Sequence, residues 1–90
     1  MCQLDKQQKI SALFELIASI TEPNDCNALF QDLCTAKEIE NMAERVYAAK
    51  LLLEGKTYNQ IMELADISSA TLSRVSRCGQ YGDGYSKLLK

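Results

Sequence analysis

An all-α fold is what this sequence predicts, and three observations predict it. The single proline is Pro23 and all four glycines lie at or after Gly55, so the first half of the chain has almost nothing to break a helix. Apolar residues make up 47% of the 90 positions, which excludes disorder as the default state, and β-branched runs are scarce. The apolar residues also recur three and four positions apart, the period of a helix packed on one side. Ninety residues make one small domain, 1–90, with a large surface for its volume.

Each helix has its own signals. Ile10, Leu13, Phe14, Ile17 and Ile20 share a face, predicting a first helix from about Asp5 to Ile20. "TEPND" ends it, because the residue before Pro23 is biased away from helix and proline suits the first turn of the next one. Cys26, Leu29, Phe30 and Leu33 mark a short second helix. In "TAKE", Thr35 can cap a third helix and Glu38 can reach back, a capping box. Ile39, Met42, Ala43, Val46, Ala49, Lys50 and Leu53 carry that helix to Gly55, where a left-handed residue is wanted. "TYNQ" repeats the capping logic with Thr57 and Gln60, and opens a fourth helix ending near Ala65. Asp66 and Ile67 then make a tight connection. Ser68 or Ser69 caps a fifth helix running to about Cys78, and Gly79, Gly82 and Gly84 loosen the chain before "YSKLLK", where a sixth helix starts.

Charge and cysteine content narrow the function classes. The net charge is −2, which argues against indiscriminate binding to nucleic acid. Its distribution is uneven: residues 1–55 hold five basic and nine acidic side chains, whereas residues 56–90 hold five basic and three acidic ones. Cys2, Cys26, Cys34 and Cys78 form no C-x-x-C pair and there is no histidine, so neither a metal site nor an enzyme is expected, and the cysteines read as buried free thiols. The chain opens on no signal-peptide pattern. "ALFELIASI" is interrupted by Glu15 and too short to span a bilayer, so a cytoplasmic location is expected.

Residues 65–77, "ADISSATLSRVSR", raise a sharper question. Five of the thirteen are hydroxyls, which are indifferent helix formers because they compete for backbone hydrogen bonds. Yet Ile61, Ala65, Ile67, Leu72 and Val75 fit the apolar skeleton of a helix-turn-helix. Such a pair leaves one face of its second helix outside the core. In DNA readers that face enters the major groove, where short polar side chains allow close approach to base edges. Two positions depart from the commonest pattern: Met62 stands where a small residue is usual, and Asp66 where glycine is usual. The apolar stripes of the first three helices are too wide for ninety residues to cover within one subunit, which predicts a homodimer. On this reading residues 1–55 are dimerisation helices, 57–78 the helix-turn-helix, and 79–90 the start of a C-terminal helix.

The Thr35 capping box, "LLLEG" and "SSATLSR", taken together over roughly residues 30–80, resemble the tryptophan repressor family, and most of all its YerC/YecD-like branch. The resemblance implies a helical bundle that is an intertwined homodimer, each subunit projecting its helix-turn-helix toward successive major grooves of double-stranded DNA. It implies a sequence-specific transcriptional regulator, a repressor by family, on a palindromic operator. It places Ser68, Ser69, Ala70, Thr71 and Ser73 in the groove and Lys56, Asn59, Arg74 and Arg77 on phosphates. Asn59 and Met62 stand where the family usually has basic side chains. A dimeric module whose polar face contacts another protein is the competing reading.

The resemblance also implies a ligand pocket from Thr35, Arg45, Thr71 and Arg74, in which two guanidinium groups flank an indole. The residue after the second arginine is glycine in tryptophan-binding members and Val75 here, and Cys78 replaces a serine at the rim. A valine fills the space the glycine leaves open and can pack on Ile61 and Leu72, so no tryptophan corepressor is expected and any effector is a different small molecule. Arg45 alternatively suits a surface ion pair with Glu38 or a neighbour of Glu44.

Overall fold

The structure, a computed structural model, describes residues 3–82 and 84–89. Cys2, Asp83 and Lys90 of the thiol and charge counts lie outside the described residues. Every regular element among those residues is a helix: α1 (Lys6–Ala18), α2 (Pro23–Leu33), α3 (Ala36–Leu53), α4 (Tyr58–Leu64), α5 (Ser69–Tyr81) and α6 (Gly84–Leu88). The chain divides into two compact units, Met1–Thr35 and Ala36–Lys90.

In the first unit, local chemistry sets the helix ends. Asp5 and Gln8 form a reciprocal box before α1, the Asp5 carboxylate accepting from the Gln8 N–H at 2.8 Å and the Gln8 side chain from the Asp5 N–H at 2.9 Å. At the other end the Ser19 hydroxyl donates to the Leu16 carbonyl at 2.6 Å. That bond and the tightened Ile20 N–H to Ile17 carbonyl contact at 3.1 Å stop α1 at Ala18, short of the expected Ile20. Glu22 is extended (φ −112°, ψ 134°), as a residue before proline prefers, and Pro23 opens α2. Neither α1 nor α2 has a buried residue.

The second unit holds the core. Ala48 and Leu51 of α3 meet Ile61 of α4, Ala65, and Leu72 of α5, with Leu52 and Ile67 partly buried against them. α3 packs on α4, α5 and α6. The contacts therefore group α3 with the helix-turn-helix rather than with the residues ahead of it, because its buried face is the one that carries Ala48 and Leu51.

α3 ends as its sequence requires. Gly55 has φ +88°, its N–H donates to the Leu52 carbonyl at 3.0 Å, and the Lys56 N–H to Leu51 at 3.1 Å, the paired bonds of a Schellman motif. Thr57 then caps α4, accepting from the Gln60 N–H at 3.2 Å while the Gln60 side chain accepts from the Thr57 N–H at 2.9 Å.

α5 departs from expectation at its far end. It runs through Gly79 to Tyr81 instead of stopping near Cys78. A glycine inside a helix costs about 1 kcal/mol against alanine, which packing can override, and α5 packs on both α3 and α6. Gly82 closes it, and a Cβ there would lie 2.7 Å from the Cys78 carbonyl oxygen, so only glycine fits. α6 begins at Gly84, just before the expected "YSKLLK".

Candidate nucleic-acid interface

α4, the turn and α5 are assembled on the predicted apolar positions. Ile61 and Leu72 are fully buried, Ala65 and Val75 nearly so, and Ile67 is half-buried against the cluster. With Leu72 and Val75 turned inward, Ser69, Ala70, Ser73, Arg74 and Arg77 are exposed on α5. Lys56, just before α4, and Asn59, in its first turn, are exposed as well. The open surface thus carries small side chains at the start of α5 and cations further along it.

Two of the hydroxyls bond to each other. Ser68, not Ser69, is the N-cap of α5. Its Oγ accepts from the Thr71 N–H at 3.2 Å and donates to Thr71 Oγ1 at 2.9 Å. Ser68 is exposed but its proton is engaged, and Thr71 is half-buried. The hydroxyls left wholly outward on the first turns are Ser69 and Ser73.

The two departures from the usual helix-turn-helix pattern have physical explanations. Met62 is 42% exposed, so nothing demands a small residue there. Asp66 needs no left-handed backbone, because no described residue other than Gly55 has a positive φ. The turn closes instead through the Ile67 N–H to the Ala65 carbonyl at 3.1 Å, and the Asp66 N–H is held by the Glu44 carboxylate at 2.8 Å.

Beside this surface Arg45 of α3, Thr71, Arg74, Val75 and Cys78 of α5, and Tyr85 of α6 enclose a cleft of about 330 Å³. Five of the six ligand-pocket candidates are thus brought together. Thr35 closes the first unit, and the cleft is built wholly from residues of the second. Tyr85 was not among the candidates, and no spacing in the sequence points to it, since α6 reaches the cleft only through tertiary packing. Val75 is 3% exposed and forms part of the wall. It also lines a second hollow beside Ala49, Leu52 and Leu53. The expectation of buried thiols also needs correcting: Cys26 and Cys34 are half-buried and Cys78 is exposed.

Among the described residues, no group of His, Cys, Asp or Glu side chains is placed to hold a metal ion, and no helix is long and apolar enough to cross a membrane.

The sequence model of the family described as Trp repressor protein matches residues 8–90, well beyond the stretch that carried the resemblance. The uncharacterized protein YerC of Bacillus subtilis is 41% identical over 90 residues, covering 97% of this chain and 86% of that protein. The crystal structure of a TrpR-like protein from Eubacterium eligens superposes with a TM-score of 0.87 at 39% identity, over 92% of this chain and 87% of that one. A proposed Trp repressor from Staphylococcus aureus gives the same TM-score at 35% identity, over 99% of this chain and 92% of its own. Family match, identity and superposition agree with the helix-turn-helix geometry, and the chain belongs to the Trp repressor family.

Proposed function

We propose that this protein is a homodimeric, sequence-specific DNA-binding regulator acting on a palindromic operator in the cytoplasm. The observation that carries the reading is the outer face of α5, where exposed Ser69, Ala70 and Ser73 precede exposed Arg74 and Arg77. Small side chains let a helix approach base edges closely, and arginines further along reach phosphates. Lys56 and Asn59 add backbone contacts from the start of α4. Ser68 and Thr71 contribute by holding the N-terminus of α5 in shape. The family is one of regulators rather than enzymes.

Dimerisation is supported by the first unit. Phe14 is 61% exposed, Leu16 51% and Leu33 50%, and no residue of α1 or α2 is buried. Apolar faces of that extent need cover, and a second copy supplies it symmetrically. Tryptophan is not the effector on this reading, because Val75 occupies the wall where an indole would need room. Arg45, Arg74, Thr71, Cys78 and Tyr85 leave a polar cleft suited to a different small anion.

Selection of duplexes from a random pool, followed by titration at several salt concentrations, tests the proposal. The expected result is an enriched palindrome with half-sites about one helical turn apart and a steep salt dependence. Arg74→Ala should weaken every duplex alike and lower the salt slope by about 1, whereas Ser73→Ala should change base preference. No enrichment would favour a module whose α5 face binds protein.

A further inference from the structure

Glu44 is the side chain that ties α3 to the turn of the helix-turn-helix. Its Oε2 accepts from the Asp66 N–H at 2.8 Å, across 22 residues of sequence. Glu44 lies one and two helical turns ahead of Ala48 and Leu51, on the face of α3 that carries the core. A carboxylate on that stripe looks like a break in the pattern, and the turn explains it. α3 faces the turn across a cleft of about 200 Å³, with Asn41, Glu44 and Arg45 on its α3 side. The carboxylate is the strut across that space.

The turn itself offers little other purchase. Ala65 is extended (φ −113°, ψ 144°) and the Ile67 N–H returns to the Ala65 carbonyl at 3.1 Å, a three-residue turn centred on Asp66. Ile67 is anchored on the core cluster, and Ser68, next in sequence, caps α5. Two attachments therefore pin the connection, Ile67 by burial and Asp66 by a charge-assisted hydrogen bond. Both lie directly ahead of the Ser68 cap of α5.

We propose that Glu44 is a positioning residue for DNA recognition, latching the turn to α3 so that α5 is presented without any ligand in the Arg45–Arg74 cleft. The proposal rests on the DNA-binding reading and adds a residue that touches no DNA. It makes an unusual demand. A carboxylate near a phosphate-facing helix repels phosphate, so deleting it should leave non-specific binding unchanged or stronger, while a lost latch should weaken only the selected sequence.

Asp66→Pro removes the donor from the other side. Proline's φ suits a turn of this kind, and Ala65 already has the extended backbone that a residue before proline prefers. Asp66→Asn is its control, losing the charge but keeping the N–H. The experiment measures affinity of the full chain for the selected duplex and for a random duplex, with thermal unfolding and exchange of the Asp66 amide alongside. Glu44→Ala and Asp66→Pro should each lose about tenfold or more on the selected duplex and nothing on the random one. Glu44→Gln and Asp66→Asn should keep most of the affinity, and the double variant Glu44→Ala with Asp66→Pro should be no worse than either single one. Equal losses on both duplexes, or no loss at all, would overturn the proposal. If the unmodified chain enriches no duplex, the DNA-binding reading falls and the positioning role with it. An Asp66 amide that exchanges as fast in the unmodified chain as in Glu44→Ala would instead show that the latch itself is absent.

Discussion

Leu72 and Phe14 occupy comparable places on two amphipathic helices, yet Leu72 is fully buried and Phe14 is 61% exposed. The contrast extends to their units. From Ala36 onward, α3, α4 and α5 close a core around Ile61 and Leu72 within a single chain. In α1 and α2 the apolar spacing is just as regular and nothing is buried. Helical periodicity shows that an apolar face exists but does not say what will cover it. In the second unit the cover is the rest of the chain; in the first, the proposed cover is another subunit. A chain of this size gains little from burying one face alone, so stability and association are expected to be coupled.

Substitution in the two regions gives the sharpest way to break that comparison. Phe14→Lys should have the largest effect. Were Phe14 a surface residue of a monomer, the change would stay within about 0.5 kcal/mol. In a dimer seam it puts an unpaired charge, once in each copy, where even a neutral polar group would cost about 2–7 kcal/mol. Sedimentation and circular dichroism should show loss of the dimer and of helix content together, and Leu13→Lys should behave alike. A folded monomer for the unmodified chain would sink the idea. Leu72→Ala comes next, at about 2–5 kcal/mol by thermal or urea unfolding, because it opens a cavity in the second unit's own core. Its midpoint should depend on protein concentration only as the unmodified protein's does.

Smaller effects sharpen the picture inside the second unit. Val75→Gly clears the wall of the Arg45–Arg74 cleft, and relief of overpacking is worth about 1–3 kcal/mol, or roughly ten- to a hundredfold in affinity. Calorimetry with L-tryptophan should show a gain in the glycine variant and nothing at micromolar ligand in the unmodified chain. Micromolar binding to the unmodified chain would contradict the proposed role of Val75. Met62→Lys should have the least effect on folding, within about 0.5 kcal/mol, since the side chain is exposed. It should still strengthen binding to any duplex by adding a cation to α4, and a loss of affinity would mean that α4 faces elsewhere.

Much of this architecture was legible in the residues. The boxes at Thr57 and Gln60, the proline at the start of α2, and the left-handed Gly55 each depend on groups within about five positions of one another, so their signals are local. The helix-turn-helix skeleton was legible for the same reason, its apolar positions falling within one short span. Where α1 and α5 end was less so. The Ser19 hydroxyl shortened α1, and packing against α3 and α6 carried α5 across Gly79.

What the sequence by itself determined is therefore the set of helices, most of their caps, and which face of α5 is polar, because sterics and backbone hydrogen bonding act over a turn or two of chain. Only the tertiary structure decided how those faces are used. It brought Tyr85 to the cleft and set Glu44 against the Asp66 amide. Each of these depends on where α3 and α6 lie relative to α5 in space. No spacing along the chain encodes that position, because it follows from how several helices jointly fill one small core.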